Sequence, residues 1–234
     1  MIWLWLIFFS ALPLWPANVS GRVELQDSRD PAVRKRLDYS GVVISLTPLN
    51  GAAGTRTGER ATMLQKDKTF SPHVLPISAG TSVEFPNADP IFHNAFSSYN
   101  GQIFDVGLYP PGSARVVRFT REGVVRVFCN IHSSMSALIV VLGTPYFAAT
   151  RRDGSFEVLN VPPGGYQLAV FHERATEATL KGLERRITVE PGAPALPALN
   201  ISEAGFLPIP HKNKYGRNYP GDQDENLVYP AVRK

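Results

Sequence analysis

An all-β protein is what this sequence predicts, and three observations carry the prediction. Short apolar runs alternate with clusters of Gly, Pro, Asn and Asp, and 19 Gly and 20 Pro punctuate 234 residues. Several of those runs keep a period of two while few keep a helical period. Charged residues make up 19% and hydrophobic residues 44%, the balance of a globular chain rather than a disordered one. The length suits one large domain or two small ones. The net charge of +4 is mild, and Lys and Arg are scattered, with short clusters such as Arg34-Lys35-Arg36 and Arg185-Arg186. No basic stripe is interleaved with aromatic residues, which argues against nucleic-acid binding.

The elements follow in order. Residues 1–17, "MIWLWLIFFSALPLWPA", are almost wholly apolar. The stretch is short for a membrane span, which takes about 20 residues, and suits the apolar core of an export signal. It is read as a signal peptide or an N-terminal anchor, so the chain is expected to be periplasmic or otherwise exported, with a membrane tether if the leader is kept. "VSGRVELQ" alternates and reads as a strand, and "DSRDPAVRKRLDYSG" reads as a loop. "VVISLTPL" is the next strand, and "NGAAGTRTGER" is a turn-rich connector. Strand segments are expected around Ala61 to Gln65 and Val83 to Phe85, with "FSPHVLPI" extended between them. Residues 88–113 read mostly as loop, broken by Gly101, Gly107 and Gly112, before strands in "ARVVRFT", "VVRVFC" and "ALIVVLG". Asp153-Gly154 signals a hairpin, Pro162-Pro163-Gly164-Gly165 a second turn, and "RRITVEPG" a further strand. Residues 203–234 read as an extended tail.

One constellation carries chemistry. Cys129 is the only cysteine, so an exported chain cannot use it in an internal disulfide. His132 follows three residues later and Met135 three after that. A thiolate, imidazoles and a thioether select copper, and two His with one Cys in a plane and a weak axial Met make an electron-transfer site. The second histidine should come from another strand. His93, in "DPIFHNAFS", is the best placed of the five. Other readings stand beside this one. Cys129 can be a buried core thiol, and Met135 can simply pack. Zinc suits Cys and His but rarely takes Met. A catalytic Cys–His pair needs a third orienting group. His73 reads as structural, His172-Glu173 is a weak pair, and His211 lies among tail lysines.

"AGTSVEFPNADPIFHNAFS" followed by "VFCNIHSSM" resembles the cupredoxins, the small blue copper proteins. The Cys-x-x-His-x-x-Met spacing is that of the short amicyanin-like ligand loop, and residues 58–143 look like a plastocyanin-like or amicyanin-like domain close to methylamine utilization proteins. The resemblance implies a Greek-key β-sandwich holding one type 1 copper on His93, Cys129, His132 and Met135. It further implies that Asn94 hydrogen-bonds towards the ligand-loop backbone, and that Asn130, where relatives have Ser or Thr, makes a different bond. Ser133 and Ser134 replace a Pro and a bulky apolar residue of amicyanins, making the surface around His132 more polar.

"ATRRDGSFEVLNVPPGGYQLAVFHE" resembles the carboxypeptidase regulatory-like (transthyretin-like) β-sandwich. Gly21 to Val23 and Val42 to Pro48 match its opening strands, so residues 20–50 with 144–200 are expected to form a second sandwich into which the copper domain is inserted. Together these features predict an exported electron carrier, not an enzyme, whose redox partners dock near His132. The alternatives are a copper-delivery protein without a redox circuit and a structural β-protein that has lost its metal.

Overall fold

A computed structural model describes residues 15–51, 54, 58–98, 101–207 and 211–219. Residues 1–14, in the stretch read as a signal peptide or anchor, and residues 220–234 lie outside the described residues. The chain forms β1 (Ala17–Gln26), α1 (Pro31–Arg36), β2 (Val43–Pro48), β3 (Arg60–Thr62), β4 (Leu64–Lys66), β5 (Thr69–Ser71), β6 (Val74–Ser78) and β7 (Ser82–Pro86). It continues through β8 (Phe96–Ser97), β9 (Phe104–Asp105), β10 (Ala114–Arg118), β11 (Gly123–Phe128) and β12 (Ser136–Leu142). β13 (Phe147–Ala149), β14 (Ser155–Val161), β15 (Gly164–Phe171), α2 (Glu177–Leu183), β16 (Arg185–Val189) and β17 (Leu199–Ser202) complete it. The protein is nearly all-β, as its composition and periodicity predict.

Residues 60–142 build two facing sheets, one in the order β6-β12-β11-β8-β9 and one in the order β10-β7-β3, with the small β4-β5 ladder beside them. Strand alternation decides what enters between the sheets. Val83 and Phe85 from β7, Val125 and Val127 from β11, and Ala137, Ile139 and Val141 from β12 share one core with Phe119. Val116, one residue out of phase on β10, is 62% exposed.

The strands before and after this region pair with one another. β2 lies between β13 and β15, with β16 outside β15. β1 lies between β14 and β17. Val23, Ile44, Leu46, Phe156, Val158, Leu168, Val170 and Ile201 from these two sheets fill a second core. A third, smaller cluster joins the halves, packing Val43 of β2 against Val74, Leu138 and Val140. β12 is therefore apolar on both faces, and its unbroken "ALIVVL" run needs no further explanation.

Several local readings change. Residues 31–36 are helical, not loop. Asp30 accepts the Ala32 N–H at 2.7 Å, Pro31 begins the helix, and Leu37 closes it in the left-handed region. A helix this short shows no period, and only its cap and its first proline announce it. β17 begins before the expected tail and pairs parallel to β1.

Asp153-Gly154 forms a tight turn but no hairpin ladder, because β13 and β14 belong to different sheets. Gly154 is required there for two reasons. Its φ is +82°, and a Cβ would lie 2.1 Å from the Val23 carbonyl oxygen. The Val23 N–H donates to the Gly154 carbonyl at 2.9 Å, which holds β1 against the turn.

An ionic seam also crosses between the halves. His73, just before β6, reaches Glu173, just after β15, at 3.0 Å. Its other ring nitrogen lies 3.1 Å from the Ser136 carbonyl. The hydrogen bond to Glu173 raises the pKa of the half-exposed His73, while burial of Glu173 is outweighed by His73 and Arg174, which lower its pKa. Deeper in, Glu203 accepts from His172, Arg174 and Ser28. Burial would raise its pKa, but those donors hold it at about 2.

Gly154→Ala should lower unfolding free energy by at least about 2 kcal/mol in a denaturant titration, since it adds both positive-φ strain and a backbone clash. The His73–Glu173 contact should contribute fully where Glu173 is ionised and His73 is protonated. Its contribution is complete below the ordinary imidazole value of 6.5 and fades as pH rises through the raised folded value. The stability gap between the native chain and Glu173→Gln should therefore shrink between mildly acidic and alkaline pH.

Candidate metal centre

The candidate ligands are placed by simple β alternation. Val125, Val127 and Cys129 form one inward series along β11, and Met135, Ala137, Ile139 and Val141 form another along β12. The β11–β12 ladder ends at Phe128 and Ser136. The Cys129 N–H then donates to the Met135 carbonyl at 3.2 Å, and the Met135 N–H to the His132 carbonyl at 3.2 Å. Residues 129–135 are thus a tight loop closed at its base. His93 comes from a separate segment, where its N–H and carbonyl exchange bonds with Tyr109 at 3.2 and 2.9 Å.

The loop and this segment meet at one point. Cys129 Sγ lies 3.5 Å from His132 Nδ1 and 4.0 Å from His93 Nδ1. One donor atom from each of the three residues lies within 4.8 Å of the others. Donor–metal bonds of about 2.0–2.3 Å at about 120° would place donors about 3.5–4.0 Å apart. The two sulfur–nitrogen separations span that range, so an ion fits between them. Cys129, His93 and Met135 are fully buried, and His132 is 6% exposed.

Electrostatics favour ligation over protonation at the histidines. Burial lowers the His93 pKa even with Asp89 beside it. Burial, then the neighbouring His93 and Lys68, takes His132 down to about 4. Both imidazoles are neutral at pH 7, the form that binds metal. Burial raises the Cys129 thiol, while the backbone N–H groups of Ile131, Asn94 and His132 favour the thiolate. A metal ion would supply the missing positive charge and deprotonate the sulfur.

The surrounding residues were less visible in the sequence. Asp89 accepts from His93 Nε2 at 2.7 Å, and from the Asp67 and Lys68 N–H groups at 2.6 and 2.9 Å. Burial would raise its pKa, but the Lys68 N–H, His93 and the Asp67 N–H together lower it. An ionised Asp89 accepts the hydrogen bond from Nε2–H, keeps the proton on that nitrogen and leaves the Nδ1 lone pair facing Cys129, the carboxylate–histidine arrangement that fixes a ligand's tautomer. The "DPIFH" spacing is its only sequence signal. Gln65 donates to the Asn94 carbonyl at 3.2 Å and accepts from the Tyr109 hydroxyl at 2.7 Å.

Asn94 differs from the expectation. Its side chain donates to Asp105 at 2.8 Å instead of bonding towards the ligand loop, and its Oδ1 is buried without a partner. It serves Cys129 through its main-chain N–H instead. The carboxylate of Asp105, at the end of β9, draws the amide away. Asn130 accepts the Lys214 N–H at 3.0 Å. Ser133 and Ser134 are exposed. The other histidines supply no donor to the cluster: His73 meets Glu173, His172 meets Glu203 rather than its neighbour Glu173, and His211 reaches the Ser133 carbonyl.

Asp89→Asn should weaken retention of an added metal ion at this cluster by about tenfold or more, measured by competition with a chelator, because the tautomer-setting charge is lost.

No family model matches the sequence, and no curated protein matches it. Part of the chain is similar to solved structures. One is a Cu-containing nitrite reductase from Thermus scotoductus, at 26% identity over 41% of this chain and 25% of that one, with a TM-score of 0.35. Another is a purple cupredoxin from Nitrosopumilus maritimus, at 26% identity over 35% and 99% of the two chains, with a TM-score of 0.32. A third is amicyanin from Paracoccus versutus, at 19% identity over 42% and 97%, with a TM-score of 0.34. The chain therefore spans a quarter of the nitrite reductase and nearly the whole of the two smaller proteins.

Proposed function

We propose that this chain is an exported cupredoxin-type protein that binds one type 1 copper and passes single electrons between redox partners. The convergence of Cys129 Sγ with the Nδ1 atoms of His93 and His132 in a buried cluster carries the reading. Bound copper would supply the one-electron couple. Cys129, His93, His132 and Met135 would hold it. Asp89 orients His93, and the main-chain N–H groups of Asn94, Ile131 and His132 support the thiolate. The buried, braced cluster restricts rearrangement between oxidation states, as fast electron transfer needs. We place partner docking near His132, the ligand with residual exposure. Export rests on the apolar leader alone. Among the described residues no helix is long and apolar enough to cross a membrane.

We read the second pair of sheets as a carboxypeptidase regulatory-like sandwich built from residues 20–50 and 144–200. The pairing of β2 with β13 and β15, and of β1 with β14 and β17, supports this. We assign it no catalysis; its place is to buttress β12.

Titrating the protein with Cu(II) should produce an intense thiolate-to-copper band at one equivalent, abolished in Cys129→Ser. A colourless protein that holds only Cu(I) and hands it on would overturn electron transfer in favour of delivery. Met135→Leu should keep the band and shift the midpoint potential upward in voltammetry, because losing a donor destabilises Cu(II) more than Cu(I).

A further inference from the structure

The C-terminal segment is more than a trailing end. Residues 211–219 form no strand or helix, yet they fold around Asn213, whose side chain accepts the N–H groups of Tyr215 and Arg217 at 3.0 and 3.1 Å. That turn sets Lys214 and Tyr219 against the candidate ligand loop. The Tyr219 hydroxyl donates to the Cys129 carbonyl at 2.7 Å. The Lys214 N–H donates to Asn130 Oδ1, and Lys214 Nζ to Asp105 at 2.8 Å. Asp105 in turn holds the Asn94 side chain, whose main-chain N–H supports Cys129. His211 stacks on Phe128 at 4.1 Å and bonds the Ser133 carbonyl at 2.8 Å. The segment is thus anchored on Phe128, Cys129, Asn130, Ser133 and Asp105, while none of its residues belongs to a hydrophobic core.

We propose that residues 211–219 are a clamp on the ligand loop, with Tyr219, His211 and Lys214 as positioning residues that fix Cys129 and His132 before copper arrives. A tail that merely needs a resting place would scatter its bonds over the surface. Here they fall on the two sides of one loop and on the carboxylate that braces Asn94. The short loop carries two adjacent exposed serines, Ser133 and Ser134, and the clamp holds it with hydrogen bonds from outside. The effect on the loaded site rests on the copper reading above, whereas the effect on the loop does not.

The test uses full-length Tyr219→Phe, which removes one hydroxyl, beside a chain ending at residue 207 and a control remote from the loop, Tyr166→Phe, which loses the hydroxyl bond to the Pro162 carbonyl. In the metal-free protein, alkylation of Cys129 by iodoacetamide reports loop opening. It should accelerate about fivefold in Tyr219→Phe, the loss of one net hydrogen bond, more in the truncated chain, and not in the control. Release of Cu(II) to a chelator should accelerate in the same order, and the charge-transfer band should shift in Tyr219→Phe. Unchanged alkylation and copper release in Tyr219→Phe overturn the clamp. Faster alkylation in a chain whose native form takes up no copper supports the clamp and defeats the copper reading instead.

Discussion

The structure turns on one short loop. The bond from the Cys129 N–H to the Met135 carbonyl closes residues 129–135 into a loop at the end of the β11–β12 ladder. Once it is made, two inward-facing series must bring a thiol and a thioether into the same core, with an imidazole between them in sequence. Only His93 has to be supplied from elsewhere, and the Tyr109 bridge and Asp89 fix its backbone and its ring. The site's donors are thus held by the fold. The main-chain N–H groups around the sulfur and the low pKa of both histidines then favour a cation over a proton.

The rest of the molecule supports that loop from two directions. β12, which follows it directly, is buried on its outer face by Val43 and neighbours of the second pair of sheets. His73 ties Ser136, the first residue of β12, to Glu173 beyond β15. From the other side, residues 211–219 grip Cys129, Asn130 and Ser133. A seven-residue loop with two adjacent serines would have little stiffness of its own, and the flanking supports explain how it can still hold a defined geometry.

Much of this was legible in the sequence, for physical reasons. Strand alternation and the spacing of Cys129, His132 and Met135 depend on local periodicity, which a single chain displays openly. His93 could be chosen because "DPIFHNAFS" follows a strand, and the Asp89 that orients it sits four residues earlier in the same stretch. The α1 helix was hidden because it is too short for a period, and only Asp30-Pro31 marked it. The Asp153-Gly154 turn was visible, but not that its strands enter opposite sheets, a matter settled by the distant approach of Val23. Asn94 followed the resemblance in place but not in bonding, since Asp105 competes for its amide. The clamp could not be read at all. Its bonds join Tyr219, Lys214 and His211 to residues far away in the chain, and nothing in its own composition records them.

The most direct measurement is X-ray absorption at the copper edge on protein loaded with one equivalent of Cu(II). The account predicts one short sulfur scatterer and two imidazole nitrogens in the first coordination shell. A shell of oxygen and nitrogen without a short copper–sulfur bond would contradict it.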